Sequence, residues 1–326
     1  MFSFLKRTKK KAIELHYEGE VYTCKSSETV LDCLERNECH RPSSCRTGVC
    51  HSCVMRVKKG EISSISTDGL SAEEKAKGYF LPCVCQPKEN LHLSDVDAPT
   101  HEVDVLHHEK INERVWRLRL SRPDSFHYQA GQFISVDHAG LVRSYSLASI
   151  PSDDFLELHI LQVPQGQMSR FLCQEITVGH SLNISDPVGS CFYNVAYMHQ
   201  PLILIGTGTG LAPLYGIVKD ALNQAHQADI YLYHGSLVQK DLYLMRELTR
   251  MMDLHDNFHY VPCVLNEEAP EGGLQGNLEA ILPQQHDDLS ASRLFICGNP
   301  EIVQSIQNVC VAKGMPLDAI LTDVFA

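Results

Sequence analysis

The most constraining feature of this sequence is where its cysteines fall. The chain has 13 cysteines in 326 residues, and eight of them lie within the first 85 residues. Cys45, Cys50 and Cys53 stand in the loop CRTGVCHSC with the spacing C-x4-C-x2-C, and Cys83 follows after 29 intervening residues. This crowding predicts a small N-terminal module with its own metal chemistry, followed by segments of a different character.

The spacing is typical of a 2Fe–2S cluster, in which four thiolates hold two iron atoms bridged by two sulfides. A structural zinc site is the alternative, but zinc ribbons use paired C-x2-C knuckles rather than one unequal loop and a remote cysteine. Cys85 stands two positions after Cys83 and stays open as the fourth ligand. The predicted metal ligands are Cys45, Cys50, Cys53 and Cys83. The other N-terminal cysteines are interpreted as small core residues: Cys24, Cys33 and Cys39.

Composition excludes several classes of protein. With 28 Lys and Arg against 40 Asp and Glu, the formal charge is −12, which argues against a nucleic-acid-binding protein. No apolar run approaches the roughly 18 to 20 residues that cross a bilayer. Residues 1–11 form a basic tail behind a short apolar patch, in the reverse order of a secretory signal. An odd number of cysteines without such a signal predicts a reducing, cytoplasmic location.

Three segments of different character follow one another, which fits three domains better than two. Residues 12–97 read as a compact α+β module, and DAPTH at 97–101 is the predicted linker after it. Residues 102–197 contain short alternating strands, which predict a closed antiparallel β-barrel. Strands and helices alternate over residues 198–326 and predict an α/β domain, a parallel sheet with helices on both faces.

Two motifs in the strand-rich segment suit a flavin nucleotide. Residues 143–146 read Arg-Ser-Tyr-Ser, which offers a guanidinium for phosphate, a flat ring for stacking and a hydroxyl beside it. Further along, GQMS opens a predicted short helix whose free N–H groups suit a pyrophosphate. A plain barrel without cofactor is the alternative, and the pair of motifs argues against it. The predicted FAD-binding residues are Arg143, Ser144, Tyr145, Ser146, Gly166, Met168 and Ser169.

A glycine-rich loop follows the first strand of the third segment, in LILIGTGTGLAP. Glycines let the backbone approach a pyrophosphate, and the helix N-terminus supplies N–H groups and a positive dipole. The glycines stand at every second position, so the loop is neither the Rossmann G-x-G-x-x-G nor a Walker loop. The predicted nucleotide-binding residues here are Gly208, Thr209, Gly210 and Pro213.

Three later stretches extend the nucleotide site. Ser236 ends the second strand of the third segment, where the adenine ribose would lie, and Cys297 and Gly298 end a later strand. Simple burial is the alternative for Cys297, as strand packing is for Phe325 at the C-terminus. A 2′-phosphate usually needs Arg or Lys just past the second strand. No arginine stands next to Ser236, so the sequence favours NADH over NADPH.

These motifs resemble two known families. RPSSCRTGVCHSC together with FLPC resembles a plant-type 2Fe–2S ferredoxin domain, which implies a ferredoxin-like β-grasp fold. From about residue 102 onward the chain resembles the ferredoxin–NADP reductase superfamily. That resemblance implies that Arg143 and Ser169 bind the FAD phosphates and that Tyr145 packs on the flavin ring. It also places Ser146 near N5 and Cys297 beside the nicotinamide, as the candidate catalytic residues.

The family's C-terminal aromatic residue near the flavin corresponds to Phe325. In the order ferredoxin, FAD, NAD, the chain resembles the reductase components of bacterial multicomponent oxygenases. This implies an NADH-dependent reductase that passes electrons through FAD and a 2Fe–2S cluster to a separate iron-containing acceptor protein. The alternatives are a non-oxygenase partner such as a deoxysugar dehydratase, a free-flavin reductase, and a zinc-binding interaction module fused to an inactive reductase.

Overall fold

The computed structural model describes residues 12–39, 41, 43, 46–48, 51, 53–96 and 100–325. The chain divides into two compact units, Met1–Asp97 and Ala98–Ala326. The domain boundaries derived from the sequence stay predictions, and the basic tail, Cys45 and Cys50 lie outside the described residues. In the described part of the chain, no helix combines the length and apolar character that crossing a bilayer requires.

The first unit contains a mixed five-stranded sheet in the order β2-β1-β5-β3-β4. β1 pairs antiparallel with β2 and parallel with β5, and helix α1 packs its buried face on the sheet. A capping box formed by Thr29 and Asp32 begins α1. This is the predicted β-grasp arrangement. Its elements are β1 (Ile13–Tyr17), β2 (Glu20–Cys24), α1 (Val30–Arg36), β3 (Met55–Lys59), α2 (Ala72–Ala76), β4 (Tyr79–Phe80) and β5 (Leu91–Ser94).

The second unit begins with an antiparallel six-stranded sheet in the order β10-β7-β6-β11-β8-β9. The sheet curls around an apolar core, and a single bridge between Leu147 and Leu158 joins its two ends. The predicted barrel is confirmed as this curled sheet. Its elements are β6 (Thr100–Lys110), β7 (Val115–Ser121), β8 (Phe133–His138), β9 (Leu141–Ser146), β10 (Phe155–Leu161), α3 (Gln167–Arg170) and β11 (Ser181–Ser185).

A parallel six-stranded sheet in the order β15-β14-β13-β12-β16-β17 completes the second unit. Alternate residues of β12 enter two different apolar clusters, which lie on the two faces of the sheet. Helices α4 and α5 cover one face, and α6 and α7 cover the other. The elements are β12 (Leu202–Thr207), α4 (Leu211–Asn223), β13 (Ile230–Ser236), α5 (Met245–Leu254), β14 (Phe258–Val264), β15 (Leu274–Gln275), α6 (Leu278–Gln285), β16 (Arg293–Gly298), α7 (Pro300–Ala312) and β17 (Ile320–Val324).

A buried polar network joins the barrel to the parallel sheet domain. His159 contacts Glu157 at 3.0 Å and the hydroxyl of Tyr243 at 3.2 Å, and Arg119 donates to Glu157 at 2.7 Å. Burial opposes ionisation of Glu157, but the hydrogen bond from His159 and the arginine charges outweigh it and lower its pKa to about 2. Because these groups satisfy one another, the network fixes β10 against the segment that leads into α5.

Candidate functional site

Two of the four predicted cluster ligands fall in the described part of the chain. Cys53 and Cys83 are buried in one small apolar cluster with Leu31, Leu70 and Leu81. Cys45 and Cys50 lie outside the described residues. The structure therefore brings together the two described cysteines that the spacing assigned to the metal.

Cys85 lies in a different place from Cys83, although only one residue separates them. Cys85 is fully buried in the main core of the first unit, together with Leu15, Met55 and Phe80. Burial raises the pKa of its thiol. Cys83 packs beside Cys53, so the packing favours Cys83 over Cys85 as the fourth ligand.

The loop that carries the first three predicted ligands has left-handed backbone positions where it is described. Arg46, Gly48 and His51 all have left-handed φ values, of 55°, 82° and 53°. A Cβ on Gly48 would lie 3.2 Å from Val84, so the loop packs closely on the turn that carries Cys83. Four thiolates are the donor set of a 2Fe–2S cluster, which Cys45, Cys50, Cys53 and Cys83 would hold.

We predict that Cys83→Ser removes the iron–sulfur absorption and that Cys85→Ser retains it. The first change removes a thiolate that the cluster needs, whereas the second alters only a core side chain. Iron content and the visible spectrum of the purified variants measure the difference. Loss of iron from the Cys85 variant with retention in the Cys83 variant would reverse the assignment.

The Arg-Ser-Tyr-Ser strand presents groups that fit a flavin nucleotide. The Oγ of Ser144 is buried and has no hydrogen-bond partner within the described residues. Arg143 is exposed, and among the residues that the structure describes its guanidinium donates only to the neighbouring Val142 carbonyl, at 2.7 Å. Tyr145 packs against the barrel core, and burial raises the pKa of its hydroxyl. An unpartnered buried hydroxyl, an exposed cation and an aromatic ring on one strand would hold FAD.

The predicted phosphate-binding turn is present, although its serine bonds inward. Gly166 precedes the short helix α3, and Met168 and Ser169 are buried. The Ser169 hydroxyl accepts from the backbone N–H of Val163 at 3.1 Å and lies 3.3 Å from the Gly166 carbonyl. Ser169 therefore stabilises this turn, and its predicted contact with phosphate stays a prediction.

Ser146 has a buried partner that the sequence alone did not identify. Its hydroxyl donates to the Asp323 carboxylate at 2.8 Å, and both side chains are buried. Asp323 lies on β17 opposite Cys297 of β16. The bond thus joins the last strand of the chain to the barrel strand that carries the flavin motif.

Cys297 and Phe325 lie where the neighbouring parallel strands β16 and β17 end. We call this end of the sheet the Cys297 edge. Cys297 is 1% exposed, its Sγ is 3.9 Å from the Sγ of Cys191, and burial raises the pKa of its thiol well above the ordinary value. The Phe325 N–H donates to the Gly298 carbonyl at 2.9 Å, which fixes Phe325 beside this edge. The predicted residues Ser146, Cys297, Gly298 and Phe325 are therefore linked through β16 and β17.

The glycine-rich loop is shaped by close backbone contacts. A Cβ on Gly210 would overlap the carbonyl oxygen of Cys297, whereas Gly208 has a φ of +54° and open space around it. Thr209 is half-buried, and Pro213 lies in the first turn of α4, where its missing N–H leaves no intrahelical bond unmade. The loop leaves room for a ligand at Gly208 and contacts the Cys297 edge at Gly210.

A cavity of about 380 Å³ opens beside this loop. Thr207, Gly208 and Ser236 line it at the carboxyl ends of β12 and β13, which is where parallel sheets bind nucleotides. The Ser236 hydroxyl donates to the Val238 carbonyl at 2.7 Å. Sequence reasoning missed several other lining residues, because they come from distant strand ends and the barrel: Asn112, Arg114, Asp241, Cys263 and Asn277.

Three protein-family models match successive parts of the chain. The model for a 2Fe–2S iron–sulfur cluster binding domain matches residues 13–88. The model for an oxidoreductase FAD-binding domain matches residues 102–193, and that for an oxidoreductase NAD-binding domain matches residues 204–308. The chain therefore has binding domains for a 2Fe–2S cluster, FAD and a nicotinamide nucleotide.

Relatives of known activity match almost the whole chain. The reductase subunit of an aromatic O-demethylase from an Amycolatopsis strain is 30% identical over 308 residues, which are 88% of this chain and 90% of that protein. A CDP-6-deoxy-L-threo-D-glycero-4-hexulose-3-dehydrase reductase from Yersinia pestis is 27% identical over 325 residues, 96% of this chain and 98% of that protein.

Two solved structures also match almost the whole chain. The Amycolatopsis cytochrome P450 reductase GcoB matches with a TM-score of 0.68 and 27% identity over 96% of this chain and 98% of that chain. A ferredoxin reductase in carbazole 1,9a-dioxygenase shares the fold, with a TM-score of 0.67 and 23% identity over 97% and 99% of the two chains. This chain is an oxidoreductase that belongs to the family of reductases in which a 2Fe–2S ferredoxin domain is joined to an FAD- and NAD-binding module of the ferredoxin–NADP reductase type.

Proposed function

We propose that this reductase takes electrons from NADH and passes them to an iron-containing oxygenase. The observation that carries the proposal is the 30% identical aromatic O-demethylase reductase subunit, which matches 90% of its length. Reductase components of a naphthalene 1,2-dioxygenase system and of a propane 2-monooxygenase match at 28% and 27% identity. Because these relatives serve several unlike oxygenases, they support an oxygenase as the acceptor and do not indicate its substrate.

A sugar dehydratase is the second candidate for the acceptor. The CDP-hexulose dehydrase reductase of Yersinia pestis matches this chain over 98% of its own length. The O-demethylase reductase subunit matches over 90% of its own length. The two candidates need the same electron path and differ only in the protein that receives the electrons.

The arrangement around Ser146 supports a role for this chain in placing the nicotinamide against the flavin. When bound, the flavin accepts a hydride and releases single electrons, and the cluster carries one electron at a time. Asp323 fixes the Ser146 hydroxyl from β17, and Cys297 and Gly210 form the adjoining floor. These buried groups would exclude water and hold the flavin and nicotinamide rings in the relative position that hydride transfer needs.

The acceptor class can be tested through its need for oxygen. We expect NADH oxidation by the holoprotein, together with its native acceptor and that acceptor's substrate, to consume one O2 per NADH and to stop without oxygen. An equal rate of NADH oxidation under anaerobic conditions would contradict an oxygenase and support a sugar dehydratase as the acceptor. A rate that rises only on addition of free flavin would instead support a free-flavin reductase.

We further propose that NADH is preferred over NADPH, from the charges that follow the end of β13. A carboxylate oxygen of Glu267 accepts from the backbone N–H of Gln239, just past β13. Lys240, the nearest cation in sequence, is paired with Glu113 at 3.1 Å. A 2′-phosphate there would meet the Glu267 carboxylate, and such like-charge contacts disfavour binding.

We predict at least about a 10-fold higher kcat/KM for NADH than for NADPH, because like charges cost free energy on close approach. Leu237, which lines the cavity and is 59% exposed, offers the matched change. Leu237→Arg should raise kcat/KM for NADPH about 10-fold by pairing with the 2′-phosphate. Leu254→Arg, at another exposed leucine outside the cavity lining, is the control and should change neither value. A wild-type preference for NADPH contradicts the proposal.

A cytoplasmic location is the remaining part of the proposal. Cys173, Cys263 and Cys310 are buried free thiols in the second unit, and free thiols persist in reducing compartments. The thiolates that ligate an iron–sulfur cluster must likewise stay reduced.

A further inference from the structure

Two cysteines that the cluster does not need lie together in the first unit. Cys24 ends β2 and Cys33 lies on the inner face of α1, and both are free thiols. Their sulfurs and a carboxylate oxygen of Glu28 all lie within 4.8 Å of one another. Cys24 is 8% exposed and Cys33 is fully buried. The sequence interpretation of both as small core residues did not anticipate that their thiols lie this close together.

The charges around the pair favour thiol chemistry over a metal ion. Arg36 pairs with Glu28 at 2.6 Å, and its Nη2 lies 3.9 Å from the Cys33 Sγ. The carboxylate is therefore already neutralised, and a guanidinium stands where a bound cation would be repelled. The hydrogen bond between the two thiols, and then Arg36, lower the pKa of the Cys33 thiol, while that of Cys24 is raised. Two neighbouring thiols, one with a lowered and one with a raised pKa, are the arrangement that thiol oxidation uses.

Helix α1 connects this pair to the predicted cluster site. Its Leu31 packs against Cys53 and Cys83. Asp32 and Glu35 of α1 pair with Arg46, which follows the predicted ligand Cys45, at 3.1 and 2.5 Å. The helix that carries Cys33 therefore also contacts the apolar wall and the loop of the predicted cluster site.

We propose that Cys24 and Cys33 are a redox-active dithiol, a modification site at which a hydroperoxide produces a disulfide. The first thiol breaks the O–O bond of the hydroperoxide, becomes a sulfenic acid and releases water or an alcohol. The second thiol then displaces the hydroxyl as water and forms the S–S bond. In total the two thiols lose two electrons and two protons, and hydrogen peroxide is reduced to two molecules of water. Rotation of the two side chains must bring the sulfurs to roughly 2.05 Å.

Peptide mapping of the holoprotein tests the proposal. Lys25 lies between the two cysteines, so trypsin places them in separate peptides, Ala12–Lys25 and Ser26–Arg36. After treatment with about one equivalent of hydrogen peroxide and alkylation of the remaining thiols, we expect these peptides to be joined. The joined pair should be about 10-fold more abundant than any other disulfide, because oxidation follows thiolate character and proximity. Dithiothreitol should separate the peptides again.

Matched variants separate this outcome from general damage. Cys24→Ser and Cys33→Ser should each abolish the joined peptide, and Cys310→Ser, at a lone buried thiol, should retain it. Cys24→Ser alone suffices if the buried Cys33 variant does not fold. Full alkylation of both cysteines after other thiols have oxidised would overturn the proposal. So would one equivalent of zinc in the purified protein that is lost in Cys24→Ser, since this identifies a metal site.

Discussion

Gly210→Ala is expected to slow NADH-driven reduction of the flavin at least about 100-fold while leaving the flavin bound. Gly210 has ordinary helical backbone angles, so alanine there adds no backbone strain. Its added Cβ would overlap the carbonyl oxygen of Cys297 and lie 2.7 Å from the carbonyl carbon. Neither is a flexible side-chain end, so the glycine-rich loop and the end of β16 must move apart. Since a misplacement of about 1 Å can cost about 100-fold in rate, we expect kcat/KM for NADH to fall at least about 100-fold.

The control is a glycine with open surroundings. Gly179, in a surface turn of the barrel, has a φ of +91°, and no described residue other than its chain neighbours lies within 4 Å of an added Cβ. Gly179→Ala should therefore lower the melting temperature through backbone strain and leave kcat/KM for NADH unchanged. Stopped-flow flavin reduction and the flavin content of both variants provide the measurements. Normal flavin reduction in Gly210→Ala would show that the loop and the Cys297 edge are not a single nucleotide-binding surface.

The fold was predictable because the apolar patterns are local. Residues 202–205 are a continuous apolar run, and they prove to be a central strand whose two faces are both buried. Alternating residues in residues 102–161 indicated strands with one buried face, and the barrel core uses those positions. The glycine-rich loop was predictable in the same way, since its Gly210 marks a place where two backbones approach closely.

The site was predictable only where its chemistry lies in one contiguous motif. Asp323 lies 177 residues from Ser146, and nothing local indicates that β17 presents its carboxylate to β9. The sequence favoured Cys83 but left Cys85 open as the fourth ligand, and tertiary packing places the two in different apolar clusters. The cavity lining has the same origin, since Asn112 and Cys263 reach it through strand order rather than through any motif.

The buried pair of Ser146 and Asp323 should control the rate of NADH oxidation more than NADH binding. The Ser146 hydroxyl is held by a 2.8 Å bond in an environment that is almost closed to water. Ser146→Ala removes the hydroxyl, and Asp323→Ala leaves it without its acceptor, so each should lower kcat about 100-fold. KM for NADH should change less than about threefold, because the cavity beside Ser236 is untouched. Single-turnover flavin reduction with 4-deuterated NADH would place the loss in hydride transfer.

The double variant decides whether the two residues act as a unit. If Asp323 works by positioning the serine hydroxyl, Ser146→Ala with Asp323→Ala should be no slower than the slower single variant, because groups that act together are not additive. Ser149→Ala is the control: this buried serine bonds within the barrel, to Tyr128 and the backbone of Glu157. It should lower stability and leave kcat unchanged. Multiplicative losses in the double variant would mean that the carboxylate acts on the reaction independently of Ser146.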